Sequence, residues 1–140
     1  MEEEKLYIFI ARILKPLILL IASSTAFSAQ KYLMFVSFSM PEKLLIETAR
    51  DAASHKIPLI INGFYNDSMR ETAIKIFDLS KQVPNLSMQI DPTEFERYGI
   101  KTVPALVSDN HQKFDVVFGN TAIDAALDEI KRFGDTKDDA

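Results

Sequence analysis

The sequence predicts an α/β domain on a mixed sheet: a β-α-β unit, an inserted helix, then β-β-α. Three observations carry this. Lys31–Phe38 is apolar on both alternating faces and rich in aromatics, the pattern of a strand buried in the middle of a sheet. A helical stripe and a second short apolar run follow it with tight connections, which makes the crossover right-handed and the two strands parallel. Late in the chain, two apolar segments flank a polar turn and lead into an amphipathic helix.

Each element has local reasons. Ser39–His55 reads as a helix with Ser39 as N-cap and with Pro41 and Glu42 in its first turn; Leu44, Leu45, Thr48, Ala49 and Ala52 form its apolar stripe. Lys56–Gly63 is the second strand, and Gly63–Ser68 a loop. Ser68 with Glu71 is a capping box opening the inserted helix, Met69–Lys81, with Ala73, Ile74, Ile76, Phe77 and Leu79 expected on its buried side. Leu86–Ile90 is extended, and whether it joins the sheet is left open. Asp91 caps a short helix with Pro92 at its first position, and Gly99 closes it. Ala105–Ser108 and Phe114–Phe118 are the arms of a hairpin, with Asp109 and Asn110 in its turn. The last helix, Thr121–Phe133, presents Ile123, Ala126, Leu127 and Ile130. This order of elements is thioredoxin-like, with strands expected in the spatial order second, first, third, fourth.

The first 28 residues differ from the rest. Arg12 and Lys15 precede the apolar run Pro16–Ala22, and small residues follow, with Ala26-Phe27-Ser28 fitting a cleavage site. This is the pattern of a secretory signal peptide; an uncleaved anchor or a buried helix are the alternatives, and contact with a membrane is expected only through an uncleaved leader. The domain organisation is a signal peptide over 1–28, one folded domain over 29–134, and a flexible tail over 135–140. Removing the leader takes away three acids and three bases, so the net charge stays at −4. No stretch gathers Lys and Arg on one face, which argues against nucleic acid as a partner.

The chain has no cysteine. Disulfide exchange, thiolate catalysis and Cys-ligated metal are therefore excluded. A Ser39 nucleophile would need a base, and the two histidines, His55 and His111, are poorly placed. His55 lies at the far end of the helix that Ser39 begins, about 24 Å away, and His111 is in the hairpin turn. Nor does their spacing form a metal-ligand motif, and no cofactor is expected.

Two landmarks resemble those of thioredoxin-like redox proteins. Tyr98–Val107, YGIKTVPALV, is similar to the segment that carries a cis-proline, which implies a cis bond between Val103 and Pro104. Ser39-Met40-Pro41-Glu42 resembles the redox C-x-P-C loop, with Ser39 and Glu42 at the two cysteine positions. Together, LMFVSFSMP, IPLIINGFYNDS, QIDPTEFERYGIKTVPALV and DVVFGNTAIDAALDEI resemble the F-type TrbC proteins over nearly all of Leu33–Ile130. That resemblance implies a periplasmic, thioredoxin-like protein without redox activity that helps assemble a conjugative pilus for type IV secretion; no enzymatic activity and no cofactor are expected. It also implies association with periplasmic components of the machinery, including a TraW-like protein.

The candidate binding site is a groove framed by Ser39, Met40 and Pro41 on one side and Val103 and Pro104 on the other, gripping an extended segment of a partner by strand addition. Phe64 and Tyr65 border it, in a loop after the carboxyl end of a parallel strand, where α/β sheets bind ligands. Each residue also has a plainer role: Ser39 as a cap, Met40 as core, Phe64 or Tyr65 packed under the inserted helix, and Pro104 as inherited architecture. The alternatives are a chaperone-like binder of pilin subunits, a subunit docking through the inserted helix, or a degenerate enzyme derived from an oxidoreductase.

Overall fold

A computed structural model describes residues 29–136; the leader expected over 1–28 and the final four residues lie outside them. The elements are β1 (Lys31–Phe35), α1 (Glu42–Ser54), β2 (Leu59–Ile61), α2 (Met69–Gln82), β3 (Met88–Ile90), α3 (Pro92–Arg97), β4 (Ala105–Asp109), β5 (Phe114–Phe118) and α4 (Ile123–Phe133). The sheet order is β3-β2-β1-β4-β5, with β1 parallel to β2, β2 parallel to β3, and β4 antiparallel to both β1 and β5. The four expected strands keep their expected order. Met88–Ile90 joins as an outer strand beside β2 because its backbone continues the parallel ladder, Leu59 opposite Met88 and Ile61 opposite Ile90.

Alternation along the strands makes two cores. Met34, Leu59, Ile61 and Leu106 face α1, α2 and α4, packing on Leu45, Ala49, Leu79, Ile123 and Ala126. Leu33, Phe35, Ile60 and Val107 face the other way, onto Phe95 of α3 with Tyr98 and Ile100. Phe35 is fully buried and meets Phe95 edge to face, ring centroids 4.8 Å apart. Burying a side chain of this size stabilises the fold by about 1.5–3 kcal/mol. Among the described residues, one face thus carries three helices and the other a six-residue helix.

Several local expectations change. The first helix begins at Glu42, and Ser39 caps nothing: Pro41 is the N-cap residue, and no side chain bonds the helix start. The cause is Pro41 itself, whose ring disfavours a helical conformation at Met40. Ser68 does cap α2, its hydroxyl accepting from the Glu71 amide at 3.2 Å, but the Glu71 carboxylate accepts from the Asn66 side chain instead of reaching back. Ala73, Ile74 and Phe77 face outward from α2, while Thr72 and Leu79 are buried. Asp109 is the last residue of β4 and is buried, not part of the turn. Asp135 and Thr136, the first residues of the expected tail, are bonded to the sheet. The Asp135 amide donates to Asp115 Oδ1, and Thr136 is fully buried against Asp115, Ser108 and Gln30.

Candidate functional site

The strand register gathers the candidate residues at one end of the sheet. Phe35 pairs with both Ile60 and Ala105, and Ala105 with Phe118, so the chain after β1, the chain after β2 and the chain before β4 all project past the same end.

After β1 the backbone folds into a turn built by Ser37. The Ser39 amide donates to Ser37 Oγ (3.1 Å), the Met40 amide to the Ser37 carbonyl (3.1 Å), and the Ser37 amide to Met40 Sδ (3.4 Å). Ser39 and Pro41 are left exposed, and Met40 is half-buried against the helix-side core. Ser39 has no base. His55, at the other end of α1, is committed to the Asp51 carbonyl and to Asp124 Oδ1, both at 2.9 Å.

After β2 the chain enters a tight turn, Tyr65–Asp67, in which Asn66 and Asp67 both take left-handed backbone conformations (φ 51° and 54°). Asn and Asp tolerate that region better than other side chains, at about 1 kcal/mol or more each. The turn is held by the Tyr65 amide, which donates to Thr72 Oγ1 at 2.8 Å, and by Asn66 Nδ2, which donates to Glu71 Oε2 at 3.0 Å. Phe64 is consequently 47 % exposed. Tyr65 lies half-buried, edge to face with Phe38 at 6.2 Å. Lys75 of α2 sits over both rings, 4.3 Å from the Tyr65 centroid and 5.8 Å from that of Phe38. Such a cation over aromatic faces is worth about 0.5–1 kcal/mol at an exposed site.

These residues line two adjoining concavities. One, of about 370 Å³, runs between Ser37–Ser39 and Ile61–Asp67 and includes Phe64 and Tyr65. The other, of about 220 Å³, lies across Phe38 and is lined by Met40, Glu42, Lys75 and Gln82. The Val103–Pro104 peptide bond is cis. Pro104 is buried and lines a third hollow, of about 200 Å³, with Thr48, Gly119 and Thr121, while Val103 packs half-buried against the second core. Ser39, Phe64 and Tyr65 are therefore brought together, Met40 sits next door, and Val103 and Pro104 share their end of the sheet without sharing their cavity. Phe38 and Lys75 belong to the site and were not among its sequence candidates. Phe38 was hidden inside an apolar run, and nothing local connects Lys75 to a loop ten residues earlier.

Comparison with known proteins was consistent across three measures. Residues 34–136 match the TrbC_Ftype family, described as type-F conjugative transfer system pilin assembly protein. The chain is 37 % identical over 116 residues to the periplasmic protein TrbC of Escherichia coli K12. That alignment covers 83 % of the chain and 55 % of the relative, so the chain spans about half the length of the curated relative it matches. Among solved structures it resembles the exposed lipoprotein thioredoxin of Streptococcus pneumoniae strain TIGR4, with a TM-score of 0.55 at 18 % identity, covering 76 % of this chain and 87 % of that one. The structural likeness bears on the fold alone.

Proposed function

The chain belongs to the F-type TrbC family of conjugative transfer system pilin assembly proteins and is periplasmic, and from that premise we propose that it acts without catalysis, by holding another periplasmic component of the pilus assembly machinery at the loop end of its sheet. The partner is an extended segment of an assembly protein, with a TraW-like protein as the first to test. The single observation that supports this reading is Phe64. A large apolar ring stands nearly half exposed over a concavity whose walls are aromatic and amphipathic and hold no thiol. Exposed aromatics of this kind anchor protein interfaces. The left-handed pair at Asn66 and Asp67 holds the ring out at a conformational cost that an ordinary connecting loop would avoid.

The test is capture of purified periplasmic assembly proteins, the TraW-like protein included, by the exported chain. Phe64→Ser, Tyr65→Ala and Met40→Ala should each weaken capture, and the triple variant should abolish it with the circular dichroism spectrum unchanged. Ile74→Ser, on the outward face of α2, should leave capture intact. Binding that survives the triple variant but fails in Ile74→Ser moves the interface to α2 and overturns the loop-end site.

A further inference from the structure

The outer edge of β5 is built to pair. The Asn110 amide donates to the Lys113 carbonyl (3.1 Å) and the Gly119 amide to the Pro104 carbonyl (2.9 Å). Antiparallel pairs alternate between bonded and non-bonded, so Asp115 and Val117 spend their backbone groups on β4. Phe114, Val116 and Phe118 then point their amides and carbonyls away from the sheet. Among the described residues no strand lies beyond them. The same three residues share one face, where Phe114 is 46 % and Phe118 51 % exposed. Within the strand there is no proline, lysine or bulge of the kind that blunts free edges. The one charged residue, Asp115, turns to the other face, where the Asp135 and Thr136 amides and the Thr136 hydroxyl occupy its carboxylate.

We propose that β5 pairs with β5 of a second copy, antiparallel and two-fold about Val116, joining two sheets into one. The strand reads Phe-Asp-Val-Val-Phe. With Val116 on the axis, Phe114 falls opposite the partner's Phe118, and every outward amide meets an outward carbonyl. A slip of two residues unpairs a phenylalanine; a slip of one sets outward groups against groups already used. The two-fold is isologous, so one patch serves both sides. Charge favours the same occupant. Glu129 and Phe133 of α4 line the cleft beside Asp115, Val116 and Val117, at the level of the axis. An antiparallel mate brings Glu129 towards the partner's Arg132, and both positions are exposed. Phe133, 80 % exposed, gains cover on the same rim.

Sedimentation velocity on the protein recovered from the periplasm, over a wide concentration range, tests this directly. The expected result is a concentration-dependent dimer. Phe118→Lys puts a charge on the edge of a strand that needs none and should raise the dissociation constant about tenfold or more. Glu129→Arg should weaken the dimer about threefold, and Glu129→Arg with Arg132→Glu should restore it, because only a two-fold contact exchanges these charges between copies. A monomer at every concentration overturns the proposal. So does a dimer indifferent to Phe118→Lys, or one that Arg132→Glu fails to rescue. The loop-end site stands or falls separately, because none of these substitutions touches Phe64, Tyr65 or Met40.

Discussion

At the carboxyl end of β1 and β2, Phe64 stands half in solvent, Ser39 and Pro41 are exposed, and three shallow hollows separate the loops. At the opposite end, where β4 runs out into β5, Ser108, Asp109 and Thr136 are almost wholly buried, and each is hydrogen-bonded. Asp109 alone accepts from the Tyr98 hydroxyl (2.6 Å), Arg97 (3.2 Å) and the His111 amide (2.6 Å). Tyr98 pays for that partnership by being held protonated far above its usual range, first by burial and then by its bond to Asp109. One end binds Ser108, Asp109 and Thr136 to its own partners; the other leaves apolar groups in solvent. Substitutions at the far end should therefore register as stability, and those at the loop end as binding.

The largest effect is expected at Asp109. Asp109→Ala strands a buried phenol, a guanidinium and an amide together, and should cost about 3 kcal/mol in denaturant unfolding. Tyr98→Phe should cost less, about 1–2 kcal/mol, because Arg97 and the His111 amide still hold the carboxylate. If both variants unfold at the wild-type midpoint, the bonds to Asp109 do not hold the far end together.

Thr136→Val comes next. It keeps the shape of the side chain but removes the hydroxyl that joins Ser108 to Asp115, and should cost about 1–2 kcal/mol. The consequence is topological as well as local. Gln30, just ahead of β1, bonds both Ser108 and the Thr136 carbonyl, so the two ends of the described chain are tied to one spot on the sheet.

A pH titration sharpens the comparison. Burial on its own raises the pKa of Asp109 and of Asp115, but hydrogen bonds outweigh it and hold both below 3.8. For Asp109 these come from Tyr98 and His111, with Arg97 adding its charge; for Asp115 they come from Thr136 and Asp135. Their contribution is present above the unfolded value and lost as pH falls through the folded one, so the far end should fail in acid. His55 runs the other way. The Asp51 carbonyl first, then Asp124, raise it above 6.5. Its contribution is complete below 6.5 and fades as pH rises through the folded value. That alkaline loss should stay under about 1 kcal/mol, since Asp124 is a surface carboxylate, and Asp124→Asn should reduce it in unfolding curves without abolishing it, because the Asp51 carbonyl still holds the ring.

What could be read from the residues alone divides along the same line. The strand-helix-strand order, the Ser68 cap, the Asp91-Pro92 start and the Phe114–Phe118 arm all depend on contacts within a few positions, and they stand in the structure as read. Most of what was missed depends on distant partners. Asp109 looked like a turn residue because its phenol and guanidinium come from another element, and nothing near Thr136 in the sequence shows its bonds to Ser108 and Asp115. Helical spacing showed that α2 has an apolar stripe but not that Ile74 and Phe77 lie beyond the reach of the sheet. Ser39 failed as a cap for a local reason that was in view: Pro41 keeps Met40 out of the helix. The candidate site was legible as a set of loops, since the carboxyl ends of parallel strands gather there by topology. Its division into separate hollows was not, because that depends on where Phe38 and Lys75 reach.

The smallest expected change in stability is at the loop end, and there it is the most informative. Phe64 loses little on truncation because much of its ring is already in water, so Phe64→Ser should shift the unfolding free energy by less than about 0.5 kcal/mol. Tyr65→Ala removes the ring shared with Phe38 and Lys75 and should cost about 1 kcal/mol. If the loop end is an interface, Phe64→Ser reverses that order in a binding assay and becomes the more damaging of the two, because an exposed anchor contributes only when a partner covers it. Measuring both variants by denaturant unfolding and by capture of the TraW-like protein gives the two rankings side by side. Matching rankings would mean that Phe64 is exposed without consequence and that the partner docks elsewhere.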